Sequence, residues 1–364
     1  MEKTLNLKTS IANIELSNPL MPASGPLVGD YDKIMYLVDM GIGGAVTKTI
    51  STKAAEVPRP CIIGGKDWIM NNELWSELPP EEWINNILPK LKENLNVPLI
   101  VSAGYTVEDM EYLIPKLDKF ADAFEISTHY VGKDINFIAK IVKAIRKNTE
   151  KPIFMKMSPH IPDPIAFAKM AKENGANGIV AVNSLGPVMN IDLNTRSNKI
   201  GSSSGFAWVS GPVIKNLSLA LVNTIRENVD DITIIGVGGI KNSDDVLEYI
   251  LAGADAVQML SSALLYGKQL YKKIVEDLPK SLQKYGFESI EDVKNHRLTK
   301  KKVSMVPNLP EVDMDKCTLC KLCEKICPYW AITIDSRVHF DPEKCFGCGL
   351  CESKCPTHAI SGVL

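Results

Sequence analysis

The sequence predicts an α/β protein: a (β/α)8 barrel of the TIM type joined to a small cysteine-rich C-terminal domain. Three observations carry this reading. Eight short apolar runs recur before residue 261, and a helical pattern follows each. The runs are apolar at consecutive positions, the mark of parallel strands buried on both faces. Residues 317 to 355 then repeat the spacing C-x2-C-x2-C-x3-C-P twice.

Residues 4 to 18 alternate apolar and polar about a turn near 10–13, which reads as a β-hairpin plugging the barrel from below. The eight strand runs are 20–24, 44–49, 99–103, 123–127, 153–157, 178–183, 234–238 and 256–260, with amphipathic stretches such as 135–147 and 164–174 between them. A doubly wound open sheet is the alternative, but it carries a phosphate loop after its first strand. Gly41-Ile42-Gly43-Gly44 precedes a strand instead, the wrong context for a dinucleotide fingerprint, so no NAD(P)H site is evident. A closing helix is expected over 269–284. The expected domains are a barrel with its hairpin over 1–300, a linker over 301–310 and the cysteine-rich domain over 311–364.

The doubled cysteine spacing is that of a bacterial-type two-[4Fe–4S] ferredoxin domain. Three closely spaced thiolates hold three irons of one cubane, and the fourth cysteine of each run reaches the other cluster. The expected ligand sets are Cys317, Cys320, Cys323 with Cys355, and Cys345, Cys348, Cys351 with Cys327. Zinc is the alternative, but it takes four ligands, usually from two separated C-x2-C pairs. The ninth cysteine, Cys61, stands apart as a plain thiol, and no disulfide framework is called for.

Composition narrows the partners. The chain of 364 residues is 45% apolar and 23% charged, with a formal net charge of −2. Nothing in that balance points to nucleic acid or an anionic membrane. There is no apolar signal core at the start and no 18-residue apolar run, so a cytoplasmic location is expected.

In such a barrel the chemistry sits at the C-terminal ends of the strands. Those ends carry Ala23-Ser24, Lys48-Thr49, Ser102, Ser127-Thr128-His129-Tyr130, Lys156-Met157-Ser158 and Asn183-Ser184. The last two strands end in Gly238-Gly239 and Leu260-Ser261-Ser262. Backbone N–H groups and a short helix N-terminus in that corner can hold a phosphate; a tight turn is the plainer account of the glycines. Ser210-Gly211-Pro212 is a further candidate for the phosphate. A flavin mononucleotide (FMN) fits the pattern, because it converts hydride chemistry into the single-electron steps that clusters accept. Lys48 and Lys156 are expected near the N1–C2=O edge of its ring. The plainer account of each is a surface charge, against which their apolar contexts speak.

The motifs Asn18-Pro19 with Ala23-Ser24-Gly25, Thr47-Lys48-Thr49, Asn71-x-Glu73-Leu74, Lys156-Met157-Ser158-Pro159, Val182-Asn183-Ser184, Trp208-Val209-Ser210-Gly211 and Gly238-Gly239-Ile240 make the chain resemble the dihydroorotate and dihydropyrimidine dehydrogenase superfamily. The dihydropyrimidine branch resembles it more, since that branch joins the barrel to a two-cluster ferredoxin. The resemblance implies that the two lysines and the glycine corner bind FMN, and that Asn71, Glu73, Asn183 and Ser184 contact a pyrimidine ring. It also implies a separate FAD subunit oxidising NAD(P)H, or free ferredoxin, as electron partner, in a homodimer or hetero-oligomer.

One departure is large. After strand four the family reads Glu-Leu-Asn-Leu/Ile-Ser-Cys-Pro, and the cysteine moves the proton. Here Glu125-Ile126-Ser127-Thr128-His129-Tyr130 has no cysteine, and either Tyr130 or Thr128 falls at its position depending on the direction of counting. His129 or Tyr130 is then the expected general acid, and the substrate need not be a pyrimidine. Trp75 narrows the pocket or stacks on a ring if it faces inward. The polar tract from 187 to 205 reads as a lid. The expected function is an iron–sulfur flavoprotein oxidoreductase acting on a C=C/C–C bond of a small polar substrate. The alternatives are an electron-transfer or bifurcating subunit with a vestigial pocket, and a dihydroorotate dehydrogenase.

Overall fold

The structure, a computed structural model, describes residues 5–128, 134–202, 204–296, 298–301 and 304–364. The chain divides into two compact units, Met1–Leu298 and Thr299–Leu364, so that the stretch 301–310 groups with the second.

The first unit is a barrel. Its strands one to eight are Leu20–Pro22, Ala45–Val46, Leu99–Ala103, Ala123–Ser127, Ile153–Met157, Gly178–Ala181, Thr233–Val237 and Ala256–Met259. All are parallel: strands two to eight pair in sequence order and strand eight pairs with strand one, so that strands one and two form the two ends of a nearly closed sheet. Each expected apolar run forms its strand. Alternate residues along a strand face opposite ways, and here they divide into two cores. Val101, Phe124, Ile126, Ile153, Met155 and Ile179 pack outward against the helices. Met21, Val46, Ile100, Phe154, Val180 and Ile235 fill the interior, closed from below by Ile11 and Leu16 of the hairpin Thr9–Ile11/Ile14–Leu16. Each such fully buried Phe, Ile or Leu contributes about 1.5–3 kcal/mol. The hairpin is fastened by Thr9 Oγ1 donating to the Asp255 carbonyl (2.7 Å) and by the Ala12 N–H donating to Thr233 Oγ1 (2.9 Å).

Two residues further along, the inward side chains turn polar. Beyond Ile100, Ala123, Phe154 and Ala256 stand Ser102, Glu125, Lys156 and Gln258, all buried. This polar layer is the floor on which the C-terminal mouth is built.

The connecting helices start where the sequence can cap them. Asp30, Asp163 and Asn242 each accept a backbone N–H from the first turn of the helix that follows, and Thr106 with Asp109 forms a reciprocal capping box. The closing helix, Leu270–Tyr285, ends at Gly286, whose φ of 77° suits a residue without Cβ.

The mouth carries an element the sequence did not reveal. Leu185–Val188, Ala207–Ser210, Ile69–Asn71 and Ile62–Gly64 form a four-stranded antiparallel sheet in that order. The tract expected as a lid is therefore largely a hairpin excursion from this sheet, with Ile191–Asp192 paired to Ser197–Asn198. The Asn72 amide donates to the Gly201 carbonyl (2.8 Å), tying the two halves together.

The second unit shows a pseudo-repeat. Helices Leu322–Ile326 and Leu350–Lys354 each end at a cysteine, Cys327 or Cys355, followed by proline. Leu319, Lys321 and Trp330 have positive φ, and so do their counterparts Gly347, Gly349 and His358. Among the described residues, no helix is long and apolar enough to cross a membrane.

Candidate active site

One cleft at the barrel mouth gathers most of the expected site. It is lined by Ala23, Ser24 and Thr49 from strand ends one and two, by Ser127, Lys156 and Asn183 from strand ends four to six, and by Gly238, Gly239, Leu260 and Ser261 from strand ends seven and eight. Gly211 joins them from the end of the antiparallel sheet. Asn71, Glu73 and Ser184 line the same cleft. Including its open mouth it encloses about 1340 Å³, room for a mononucleotide and a small second ligand.

Two expected cofactor contacts stand behind the lining. Ser102 is fully buried and bonds Thr49 Oγ1 (2.9 Å), which in turn bonds Ser24 Oγ (3.0 Å). Lys48 is also buried, with its ammonium 2.7 Å from Glu77 and 3.4 Å from Glu73. Glu77 is its closer partner. Burial pushes the Glu73 carboxyl above the ordinary glutamate range despite Lys48. Burial acts on Glu77 in the same sense, but the Lys48 hydrogen bond, a backbone hydrogen bond and the charges of Lys48 and Lys33 together outweigh it and hold that carboxyl below the range. Glu73 is thus the cleft carboxyl that keeps its proton to higher pH. His129 and Tyr130, the expected acids, lie outside the described residues.

The glycine corner is tightly built. Gly239 has φ 72°, and a Cβ there would lie 2.8 Å from the Gly211 carbonyl oxygen and from Pro212 Cα. The buried Tyr249 phenol, held protonated by its burial, donates to the Gly238 carbonyl (2.6 Å). Ser218 Oγ donates to the Val237 carbonyl (2.7 Å). Ser210 Oγ and Ser261 Oγ are 2.8 Å apart. Beside them Ser262 Oγ is buried with no partner among the described residues. A cradle without side chains, ringed by serine hydroxyls with one left unpaired, fits a phosphate.

The polar floor is the second match. The buried Glu125 carboxylate accepts from Lys156 Nζ (3.0 Å) and from Gln258 Nε2 (2.6 Å). Gln258 Oε1, buried like Ser262, likewise has no partner among the described residues. Both Lys156 and Gln258 line the cleft. The reading from sequence did not single out Glu125 or Gln258. The signal was there as one polar residue inside an otherwise apolar strand, at the inward period-two position.

On the rim, the Asn183 side-chain oxygen accepts the Ser184 N–H (2.8 Å), which turns its amide donors the other way. His160 Nε2 accepts the Gly186 N–H (3.0 Å), so in the neutral ring Nδ1 carries the hydrogen and donates to Ser158 Oγ (2.8 Å). Trp75 does face the cleft and is stacked on Tyr105, with ring centroids 4.6 Å apart. Trp208 and Ile69 complete an apolar wall.

In the second unit, Cys327, Cys345, Cys348 and Cys351 line one small cavity with Ile332 and Phe340. This is the quartet expected on one cluster. Cys327 Sγ and Cys355 Sγ each accept a backbone N–H, from Ala331 (3.4 Å) and Ala359 (3.3 Å), the kind of contact that supports a cluster sulfur.

Comparison with known proteins agrees with this architecture. Residues 6–282 match the dihydroorotate dehydrogenase family, and residues 316–359 match the 4Fe-4S dicluster domain. The catalytic subunit of dihydroorotate dehydrogenase B (NAD(+)) from Oceanobacillus iheyensis is 30% identical over 302 residues, 79% of this chain and 97% of that protein. The corresponding subunit from Pyrococcus horikoshii is 31% identical, covering 79% and 96%. Dihydroorotate dehydrogenase A (fumarate) from Lactobacillus helveticus is 31% identical, covering 79% and 97%. The superfamily expected from sequence is supported, while the expected preference for its dihydropyrimidine branch is not carried by these relatives.

Proposed function

We propose, from the premise that this chain belongs to the dihydroorotate dehydrogenase family, that it oxidises or reduces a CH–CH/C=C bond in a pyrimidine-like substrate, with dihydroorotate/orotate as the first candidate pair. It is an iron–sulfur flavoprotein-type oxidoreductase, and bound FMN supplies the hydride transfer and the conversion to single electrons. The observation that carries the reading is the meeting of Asn71, Glu73, Asn183 and Ser184 with the glycine corner and Lys156 in one cleft.

Each group has a task. Gly211, Gly238, Gly239, Ser261 and Ser262 hold the phosphate, and Ala23, Ser24 and Thr49 line the ring site. Lys156 places a cation at the floor, where reduced flavin gathers negative charge. The Asn183 amide donors and Ser184 face carbonyl or carboxylate oxygens of the substrate, and Glu73 faces its N–H. Lys48 acts from behind by holding Glu73 and Glu77. When the substrate is reduced, one carbon takes a hydride, which bound FMN would supply, and its neighbour takes a proton from His129 or Tyr130. The two cysteine sets given above would hold two [4Fe–4S] clusters, which would supply single-electron transfer to a separate partner. A second subunit that handles NAD is the first candidate, since the relatives are named as catalytic subunits of an NAD(+) enzyme.

A dihydropyrimidine reading is the second. The alignments use nearly all of each relative but only 79% of this chain, and the ferredoxin unit with Asn71-x-Glu73 suits that branch. Anaerobic mixing of the oxidised protein with dihydroorotate and with dihydrouracil decides between them. Bleaching of the flavin by dihydroorotate supports the first reading, bleaching by dihydrouracil the second. Bleaching by neither overturns both and favours an electron-transfer role.

A further inference from the structure

We infer that Lys156 and Gln258, both gripped by Glu125, form a paired donor and acceptor that reads an O=C–N–H edge of the ligand on the cleft floor. The inference rests on the proposed function for the existence of such a ligand.

The pair follows from strand geometry. Glu125, Lys156 and Gln258 occupy the same inward layer on strands four, five and eight, two residues above the apolar interior. Glu125 is fully buried and spends one oxygen on each neighbour, Oε1 on Lys156 Nζ (3.0 Å) and Oε2 on Gln258 Nε2 (2.6 Å). A carboxylate can only accept, so it fixes the Gln258 amide with its N–H inward and its oxygen outward. That oxygen is buried and has no partner among the described residues. An unmet buried acceptor is costly, and a ligand N–H meets it. Lys156 keeps two further N–H groups beyond the one on Glu125, and a carbonyl oxygen takes one.

A donor beside an acceptor is complementary to a carbonyl beside an N–H. The pyrimidine ring of FMN carries that edge at C2=O/N3–H, and so does the ring of orotate or uracil. Glu125 acts here as a positioning residue, since it sets the orientation of both readers and touches no ligand itself.

The test uses the full chain, stripped of flavin and reconstituted. Binding of FMN and of N3-methyl-FMN is followed by flavin fluorescence in wild type, Gln258→Leu and Glu125→Gln, with far-UV circular dichroism as a check on folding. If the edge belongs to flavin, wild type binds FMN about 5- to 30-fold more tightly than the N3-methyl analogue, the range for one buried hydrogen bond with its desolvation. Gln258→Leu then erases that preference, and Glu125→Gln reduces it. If wild type shows no such preference, orotate and uracil are titrated onto the FMN-loaded protein. Weakening of either by a similar factor in Gln258→Leu assigns the edge to the substrate and sustains the inference. Equal binding of all these probes to wild type and Gln258→Leu overturns it while leaving the proposed function intact. A wild type that binds no FMN overturns both. Should Gln258→Leu fail to fold, the N3-methyl comparison and an orotate against N-methylated orotate comparison in wild type alone decide the matter, and indifference to both methyl groups overturns it.

Discussion

Replacing Gly239 by alanine probes the phosphate corner at its tightest point. Two costs separate cleanly. The first is conformational: φ is 72°, and an L-residue held in that region loses about 1–2 kcal/mol, offset by about 0.4–1 kcal/mol from a stiffer unfolded chain. The second is steric. The new Cβ would lie 2.8 Å from the Gly211 carbonyl oxygen, 2.8 Å from Pro212 Cα and 2.9 Å from Lys215 Cβ. Two of these are backbone atoms that cannot swing aside, and overpacking of this kind costs about 1–3 kcal/mol. Together Gly239→Ala should lose about 2–4 kcal/mol of stability. Gly286→Ala is the internal control. Its φ of 77° is nearly the same, but nothing lies within 4 Å of the added Cβ, so it should lose about 1 kcal/mol or less. Urea unfolding followed by circular dichroism measures both. The functional consequence is specific to the first variant, because relief of the clash must move the Gly211 or Gly239 turn that faces the phosphate. FMN affinity should fall at least about tenfold in Gly239→Ala, near 1.4 kcal/mol, and stay at the wild-type value in Gly286→Ala. Equal stability losses in the two variants, or wild-type FMN affinity in Gly239→Ala, would refute the reasoning.

Four further outcomes are expected. Glu77→Gln should lower the urea midpoint at pH 7, because a carboxyl held below its ordinary value stabilises the fold above that value and loses the effect as pH falls through its folded value; the gap from wild type should narrow as pH drops below the ordinary glutamate value of about 4.3. Glu73→Gln should cost no stability at pH 7, since a carboxyl raised by burial stabilises only below its ordinary range and loses that effect as pH rises through its folded value. Ser158 Oγ receives N–H groups from the His160 backbone (3.3 Å) and ring (2.8 Å), which turns its own hydrogen elsewhere; Ser158→Ala and His160→Phe should weaken orotate binding, read from the flavin spectrum, by about tenfold, and His160→Asn, which keeps a donor near Nδ1, should restore most of it. Cys327→Ala should reduce bound iron to about half by removing one cubane, while Cys61→Ser should leave iron content unchanged.

What could be read in the sequence was what short range dictates. Runs such as 99–103 and 153–157 are apolar on both faces because a parallel barrel buries both, so they announce themselves without partners. The cysteine spacing is local for the same reason. The antiparallel sheet at the mouth was hidden, since its strands are three or four residues long and its key pairing sets Asn71 against Trp208, far apart in the chain. Lys48 shows the same limit. Its strand end was found, yet its partners Glu73 and Glu77 are reached only through folding. Gln258 was legible only in hindsight of the register, as the one polar inward residue of strand eight.

The central claim is that one chain couples pyrimidine chemistry in the barrel to its iron–sulfur clusters. Anaerobic stopped-flow absorbance tests it most directly. Protein reduced with dithionite, then freed of the excess, would be mixed with orotate, uracil, thymine and a non-pyrimidine enoate. Return of both flavin and cluster absorbance with orotate or uracil, far faster than with buffer and slowed at least about tenfold by Asn71→Ala, is the predicted result. Reoxidation by the enoate alone, or by none of the four, would contradict the account.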